Sequence, residues 1–210
     1  MKTTVIVNPR AGNGRTGKIW PQIESALINS IGPFQTKQTS CRGDAIHLTR
    51  QVLDEGTGRI VAVGGDGHLN EVLNGFIEND VPVNPEARLS FVMTGTGCDF
   101  QRSLGISGKW QNAAAKLKAA KVRKIDVGKV TYTAADKTHK IRYVDNIASF
   151  GLSGAVYHCP EHSRLKDYLG GSPLFLCGPP SKPFSLTQTR VSVFGLTMVV
   201  SRPLVSRYFV

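Results

Sequence analysis

The sequence predicts an α/β protein whose first half is an open parallel sheet with helices on both faces. Three observations predict it. Arg59-Ile-Val-Ala-Val63 is a continuous apolar run of strand length, the kind buried on both faces of a parallel sheet. Strand-like and helix-like segments alternate as far as about residue 105, the order expected of repeated βα units. Three glycine-rich loops each follow a predicted strand: Asn8-Pro9-Arg10-Ala11-Gly12-Asn13-Gly14, Gly64-Gly65-Asp66-Gly67 and Gly95-Thr96-Gly97.

Taken in order, Thr3–Asn8 is a β-branched run that stops at Asn8-Pro9. Trp20, Ile23 and Leu27, with Ile19 and Ala26 beside them, then make residues 18–31 an amphipathic helix ended by Gly32-Pro33. A weak strand near Phe34–Thr39 leads to Gly43-Asp44, where Asp44 can cap a helix burying Ala45, Leu48, Val52 and Leu53. After the strand at 59–63, Leu69, Val72, Leu73, Phe76 and Ile77 fall at i, i+3, i+4, i+7 and i+8, a helix stripe. Leu89–Met93 reads as a strand, followed by a short helical segment toward Leu104-Gly105. Beyond about residue 121 the pattern changes. Val122–Thr133 and Lys140–Phe150 alternate polar and apolar residues around a turn at Ala135-Asp136-Lys137-Thr138, the start of an antiparallel β domain.

Composition narrows the class. The 210 residues are 40% hydrophobic and 20% charged, which suits a globular protein rather than a disordered polyelectrolyte or a membrane bundle. Cys41, Cys98, Cys159 and Cys177 make no CxxC pair, so reduced thiols in a cytosol are expected rather than a zinc site or a disulfide framework. The N-terminus has too short an apolar run for a signal peptide. Val191–Val200, interrupted by Ser192, Gly195 and Thr197, is only half the roughly twenty residues a spanning helix needs.

The formal net charge of +11 is unevenly spread. No acidic residue follows Asp167, whereas Lys182, Arg190, Arg202 and Arg207 do. Residues 1–167 therefore carry +7 and the tail +4. Lys116, Lys118, Lys121, Arg123, Lys124 and Lys129 form a basic cluster. It reads first as a solvated helix face, and alternatively as a patch drawn to an anionic membrane surface. Nucleic acid is not expected as a partner, because no aromatic residues interleave the cluster and no base-reading motif is present.

The loops carry the functional signal. At the carboxyl ends of parallel strands, glycines let backbone N–H groups approach a polyphosphate, and the following helix adds positive potential. Each loop alone is compatible with an ordinary strand-to-helix turn. Three in succession, with Asp66 in one and Asp99 just after another, point to phosphate binding. GxxxxGK[ST] is absent, and Gly12-x-Gly14-x-x-Gly17 starts beyond the end of the first strand, where it is given little weight as a dinucleotide fingerprint.

The residues also carry a resemblance. Asn8-Pro9 with Gly12, Gly64-Gly65-Asp66-Gly67-x-x-Asn70-Glu71-Val72-x-Asn74-Gly75, and Gly95-Thr96-Gly97-x-Asp99-Phe100-x-Arg102-Ser103-Leu104-Gly105 resemble the catalytic domain of the diacylglycerol kinase family. Bacterial soluble lipid kinases belong to that family, and sphingosine and ceramide kinases are relatives. The resemblance runs from about residue 3 to 170, through Lys124-Ile-Asp126-Val-Gly128 and Asn146-Ile-Ala-Ser-Phe-Gly151. It implies an α/β fold of the NAD kinase/diacylglycerol kinase type, followed by a β-sandwich that is incomplete here. The implied organisation is an ATP-binding domain at 1–121, the start of the sandwich at 122–170, and an atypical tail at 171–210, truncated or frame-shifted.

The resemblance further implies ATP-dependent phosphorylation of a lipid hydroxyl, diacylglycerol or similar, in phospholipid biosynthesis. Such an enzyme would be cytoplasmic or peripheral to the inner face of the membrane, and a homodimer is compatible with it. Asn8, Thr39, Gly64, Gly65, Asp66, Gly67, His68, Leu69, Asn70 and Thr96 would surround ATP. Asp66 would sit at the phosphate–Mg²⁺ centre, with Asp99 and Asp126 in a supporting carboxylate–water–metal network. Asp126 also reads as an Asp capping a turn at a strand edge. Two positions depart from the family pattern: its usual Thr after GGDG is His68, and its usual Asn before Asp99 is Cys98. His68 reads equally as a phosphate donor or as an inert residue of the first helical turn. Cys98 cannot replace an Asn side chain in hydrogen bonding.

The family's general base is an acidic residue of the second half, and nothing after Asp167 supplies one. Two alternatives to a lipid kinase therefore stand beside it. One is a non-catalytic ATP-binding remnant, and the other a soluble-substrate kinase of the NAD kinase type.

Overall fold

The computed structural model describes residues 1–106, 108–119, 122–134 and 136–146, together with the backbone of 191–193 and 196–209. Four strands form a parallel sheet: β1 (Thr3–Val7), β2 (Gln35–Gln38), β3 (Arg59–Gly64) and β6 (Arg88–Met93), in the order β2-β1-β3-β6. Between them run α1 (Arg15–Ile31), α2 (Asp44–Asp54) and α3 (Asp66–Phe76), and α4 (Asp99–Ser103) and α5 (Trp110–Lys116) follow β6.

The strands are apolar throughout because both faces are covered, and their period of two sorts the side chains into two cores. Ile6, Ile60, Ala62, Leu89, Phe91 and Met93 pack with Ala45, Val52 and Leu53 of α2 and Leu69, Val72, Leu73 and Phe76 of α3. Their sequence neighbours Val5, Val7, Val61, Val63 and Val92 face the other way, onto Trp20, Ile23 and Leu27 of α1 and Ala114 of α5. The predicted helix stripe on α3 is fully buried, each large side chain worth about 1.5–3 kcal/mol of transfer free energy. Polar β2, Gln-Thr-Lys-Gln, is an edge strand.

The chain leaves β1 toward β2 on one side and returns past it to β3 on the other. This is a topological switch point, and it lies between β1 and β3. Ligands of open α/β sheets bind outside the strand carboxyl ends at such points. The first two glycine loops leave the sheet there.

Two local readings need correction. Ile77 fits the stripe of α3 by spacing, yet the helix ends at Phe76 and Ile77 opens β4 (Ile77–Glu78), paired antiparallel with β5 (Val81–Pro82). The two-residue turn between them, Asn79-Asp80, has φ of 49° and 66°, the twist a tight hairpin demands. Helix α1 also starts three residues earlier than expected, at Arg15, so the Gly12–Gly17 spacing is used structurally. Gly12, at φ +60°, lies where a side chain would meet the Thr94 carbonyl oxygen at 2.9 Å.

The second sheet has the order β8-β7-β10-β9, formed by β7 (Arg123–Thr133), β8 (His139–Val144), β9 (Val191–Val193) and β10 (Leu196–Phe209), with β9 and β10 antiparallel. The predicted turn between β7 and β8 is present. Ala134 N–H donates to Thr138 O, and Thr138 N–H and hydroxyl both donate to Asp136, holding that carboxyl down to about 2. Strand β8 ends at Val144, and residues 147–190 of the expected second domain and tail lie outside the described residues. Met1–Gly128 and Tyr143–Asn146 fall in one compact unit, Lys129–Arg142 in another. No described helix is long and apolar enough to cross a membrane.

Candidate functional site

Three loops meet at the carboxyl edge of β1, β3 and β6, and they meet backbone to backbone. The β1 loop touches the β6 loop where Gly12 lies against the Thr94 carbonyl, and the Thr16 and Thr94 hydroxyls share a 2.6 Å hydrogen bond. The β3 and β6 loops are so close that a Cβ on Gly95 would sit 2.7 Å from the Gly65 Cα. Thr94 N–H and Gly95 N–H both donate to Gly64 O, at 2.8 and 3.3 Å. The loops are thus one surface, built where side chains are absent.

Asn8 closes the end of β1: its N–H donates to Val63 O and its Oδ1 accepts from Arg10 N–H at 2.9 Å, which turns the chain into the first loop. Thr39 sits at the end of β2, with its N–H and hydroxyl both on Val7 O, at 2.9 and 3.3 Å. The loop after it is held by Asp44, which accepts from Ser40 N–H and hydroxyl. These bonds keep its carboxyl below the ordinary range.

Helix α3 begins at Asp66, and its first intrahelical bond runs from Leu69 N–H to Gly65 O. The N–H groups of Asp66, Gly67 and His68 precede that bond and point out of the helix end, where positive potential accumulates. Asp66 Oδ1 accepts from Phe100 N–H at 3.0 Å, which fixes the carboxylate and ties the β3 loop to α4. The other oxygen, Oδ2, turns toward Gly97. A Cβ at Gly97 would stand 3.1 Å from Asp66 Oδ2 and 3.3 Å from Asp99 Oδ2. Two carboxylate oxygens therefore converge on a point left open by a glycine. That donor set suits Mg²⁺, which takes one or two carboxylates and leaves its remaining positions to water and phosphate oxygens. Asp99 is 51% exposed and pairs with Arg102.

The other expected residues divide. Gly64, Gly65, Gly67 and exposed Thr96 lie on the loop edge. The Leu69 side chain is core. Asn70 turns away: its Nδ2 donates to Tyr143 O at 2.9 Å and Asp145 Oδ1 at 3.0 Å. Asp126 is exposed on β7. Among the described residues no group of three or more His, Cys, Asp or Glu side chains is placed to hold a metal.

His68 points inward. It is 5% exposed, its ring covers Gly64 so closely that a Cβ there would lie 2.7 Å from the ring, and Nε2 is 3.0 Å from Ile6 O. A carbonyl only accepts, so Nε2 carries the proton. Burial lowers the His68 pKa against the opposing pull of Ile6 O and Glu71. Of the two readings open from sequence, a side-chain phosphate donor is the one this geometry excludes. His68 braces the turn from inside, over Gly64.

Cys98 caps α4 in the left-handed conformation, φ 53°, with Sγ 3.2 Å from Gly95 O. Burial first, then Asp66, push its thiol pKa up, so it stays protonated. Sequence reasoning missed that Asn74 of α3 and Asp80 both bond Tyr143, contacts between residues more than sixty positions apart in the chain.

Residues 2–130 match the family described as the diacylglycerol kinase catalytic domain. The chain belongs to that family. It is 31% identical over 194 residues to the diacylglycerol kinase of Bacillus subtilis, covering 91% of this chain and 59% of that one. To the diacylglycerol kinase of Staphylococcus haemolyticus it is 30% identical over 175 residues, covering 83% of this chain and 48% of that one. The crystal structure of a diacylglycerol kinase from Bacillus anthracis superposes with a TM-score of 0.53 at 27% identity, over 66% of this chain and 44% of that one. The family therefore carries the α/β fold with its parallel sheet seen here. The chain spans about half to three-fifths the length of these curated relatives. A match over 91% of 210 residues also runs past residue 171, further than the motifs reach.

Proposed function

We propose that this diacylglycerol kinase-family chain binds ATP with Mg²⁺ on the joined glycine loops and serves transfer of the γ-phosphate to a hydroxyl of a diacylglycerol-like lipid. The observation that carries the reading is the convergence of Asp66 Oδ2 and Asp99 Oδ2 on Gly97, beside the N-terminus of α3. Phosphoryl transfer asks mainly for positioning and charge neutralisation. The α3 N–H groups of Asp66, Gly67 and His68 donate to phosphate oxygens, and Gly12 and Gly95 allow the close backbone approach. Asp66 and Asp99 hold the metal, Asp66 fixed by Phe100 N–H. Bound Mg²⁺ supplies neutralisation of the charge on the phosphates. Asn8 and Thr39, at the ends of β1 and β2, line the nucleotide's path along the same edge.

The lipid hydroxyl needs a general base, and a reading in which this chain binds ATP without transferring phosphate stands beside the first. For membrane contact, Lys116 and Lys118 flank Leu117, whose carbonyl is held by Arg59 at the amino end of β3. That part of the basic cluster lies at the end of the sheet opposite the glycine loops.

One experiment separates the readings. The chain is incubated with γ-labelled ATP·Mg²⁺ and either diacylglycerol micelles or NAD, and ATP binding is measured in parallel. Label in phosphatidic acid supports the lipid kinase. Binding without label in any product selects the remnant. Label in NADP selects the soluble-substrate kinase, and no binding removes the site.

A further inference from the structure

Helix α3 carries Asp66 at its first turn and two asparagines, Asn70 and Asn74, one turn apart farther along. Both amides are spent on one short segment of chain. Asn74, 6% exposed, pairs with the backbone of Tyr143 in both directions: Nδ2 donates to Tyr143 O at 2.8 Å, and Tyr143 N–H donates to Asn74 Oδ1 at 2.9 Å. Asn70 adds its bonds to Tyr143 O and Asp145 Oδ1, and Asn74 Nδ2 also reaches Asn70 O at 2.8 Å. Three residues after Tyr143, Asn146 Oδ1 accepts from Ser103 Oγ of α4 at 3.3 Å. The same Ser103 hydroxyl proton is shared with Asp99 O at 3.0 Å. Tyr143–Asn146 is therefore a strap with one end on α3 and the other on α4, the two helices whose first residues are Asp66 and Asp99.

The two carboxylates stand on separate helices, so a shift of one helix against the other changes the gap they offer a cation. Mg²⁺ tolerates little departure from its preferred geometry. A brace between the helices, away from the loops, meets that demand. The buried two-way amide pairing is its strongest element, because removing Asn74 takes the acceptor from the buried Tyr143 N–H, while Tyr143 O keeps only Asn70 Nδ2.

We propose that Asn74 is a positioning residue for the metal-binding carboxylates, acting through the Tyr143–Asn146 strap to set the spacing of α3 and α4. The proposal rests on the nucleotide–Mg²⁺ reading above. Asn74 touches neither nucleotide nor metal. Its loss weakens Mg²⁺-dependent binding while leaving the phosphate-binding backbone of the loops intact.

The test is fluorescence titration of the full chain with mant-ATP at a series of Mg²⁺ concentrations and with EDTA, alongside thermal melts. Asn74→Ala is expected to raise the Mg²⁺ concentration for half-maximal binding about tenfold, with less than a twofold change in affinity under EDTA. Tyr143→Phe, which cuts only the two bonds between the Tyr143 hydroxyl and Asp80 (hydroxyl to Oδ1, and Asp80 N–H to the hydroxyl), lowers the melting temperature without moving the Mg²⁺ requirement. If Asn74→Ala does not fold, Asn70→Ala, which keeps the Asn74–Tyr143 pair, is read the same way and is expected to give a smaller shift of the same kind. An unchanged Mg²⁺ requirement in whichever variant folds overturns the proposal, as does an equal shift in Tyr143→Phe. A wild-type chain that binds no mant-ATP overturns the underlying site as well, so the two failures are distinguishable.

Discussion

Phe100 N–H donates to Asp66 Oδ1 at 3.0 Å, and this bond ties the first turn of α3 to α4 through a side chain of the candidate site. It divides the labour of one carboxylate. Oδ1 accepts from protein backbone, and Oδ2 faces Gly97, where the proposed cation would sit.

That division makes Asp66→Asn informative. Asparagine keeps an acceptor for Phe100 N–H and removes the charge. The melting temperature is expected to stay within about 2 °C of wild type, since one retained hydrogen bond is worth about 1 kcal/mol. Mg²⁺-dependent mant-ATP affinity is expected to fall at least tenfold. Asp66→Ala removes both functions and should lower the melting temperature by several degrees as well. Unchanged nucleotide binding in both variants would remove Asp66 from the site.

Gly97→Ala tests the point on which the carboxylates converge. The added methyl would stand 3.1 Å from Asp66 Oδ2 and 3.3 Å from Asp99 Oδ2, and Gly97 is not among the glycines with positive φ, so the backbone accepts alanine without strain. The carboxylates can give way by a few tenths of an ångström. The chain is therefore expected to fold normally and to lose Mg²⁺-dependent binding by roughly an order of magnitude. Isothermal titration with ATP at high and low Mg²⁺ reads the difference, and equal affinities for the two chains would place the cation elsewhere.

What the sequence made legible was whatever depends on local pattern. The apolar runs of β1, β3 and β6 announce strands covered on both faces, and the stripe from Leu69 to Phe76 is where the spacing puts it. Ile77 shows the limit: an apolar residue at i+8 extends a helix on paper, while the Asn79-Asp80 hairpin just beyond requires it to be extended. The site was legible in its glycines, because close backbone approach leaves a mark in composition. The side-chain directions of His68 and Asn70 were not, since either could face the loop mouth or the protein. His68 is drawn inward by the space above Gly64, and Asn70 by a backbone segment more than seventy positions away.

Cys98 stands where the left-handed conformation favours another residue. At φ 53° a cysteine is strained, whereas asparagine visits this region several-fold more often than most residues. Cys98→Asn gives up only a weak thiol bond to Gly95 O. Relief of the strain is expected to contribute about 0.5–1 kcal/mol, which for a chain of this size raises the melting temperature by roughly 1–4 °C. A lower melting temperature for Cys98→Asn would show that the thiol's packing outweighs the backbone preference.

His68 gives the protein a specific acid sensitivity. Its ring is buried with Nε2–H on Ile6 O, and burial outweighs both that carbonyl and Glu71, so the folded-state pKa lies below the ordinary value of 6.5. At pH 8 the group is neutral in folded and unfolded chains and contributes no pH dependence. As the pH falls through 6.5 the unfolded chain takes up a proton that the folded chain refuses, and stability falls with a slope of up to one proton. Glutamine at this position can donate to Ile6 O but cannot titrate. His68→Gln is thus expected to be somewhat less stable at pH 8, because it fills the space over Gly64 less well, and to lose less stability than wild type between pH 7 and 5. Urea melts at half-unit steps of pH measure both slopes. Parallel curves would mean that another group carries the acid sensitivity, and would leave His68 a brace for the GGDG turn and nothing more.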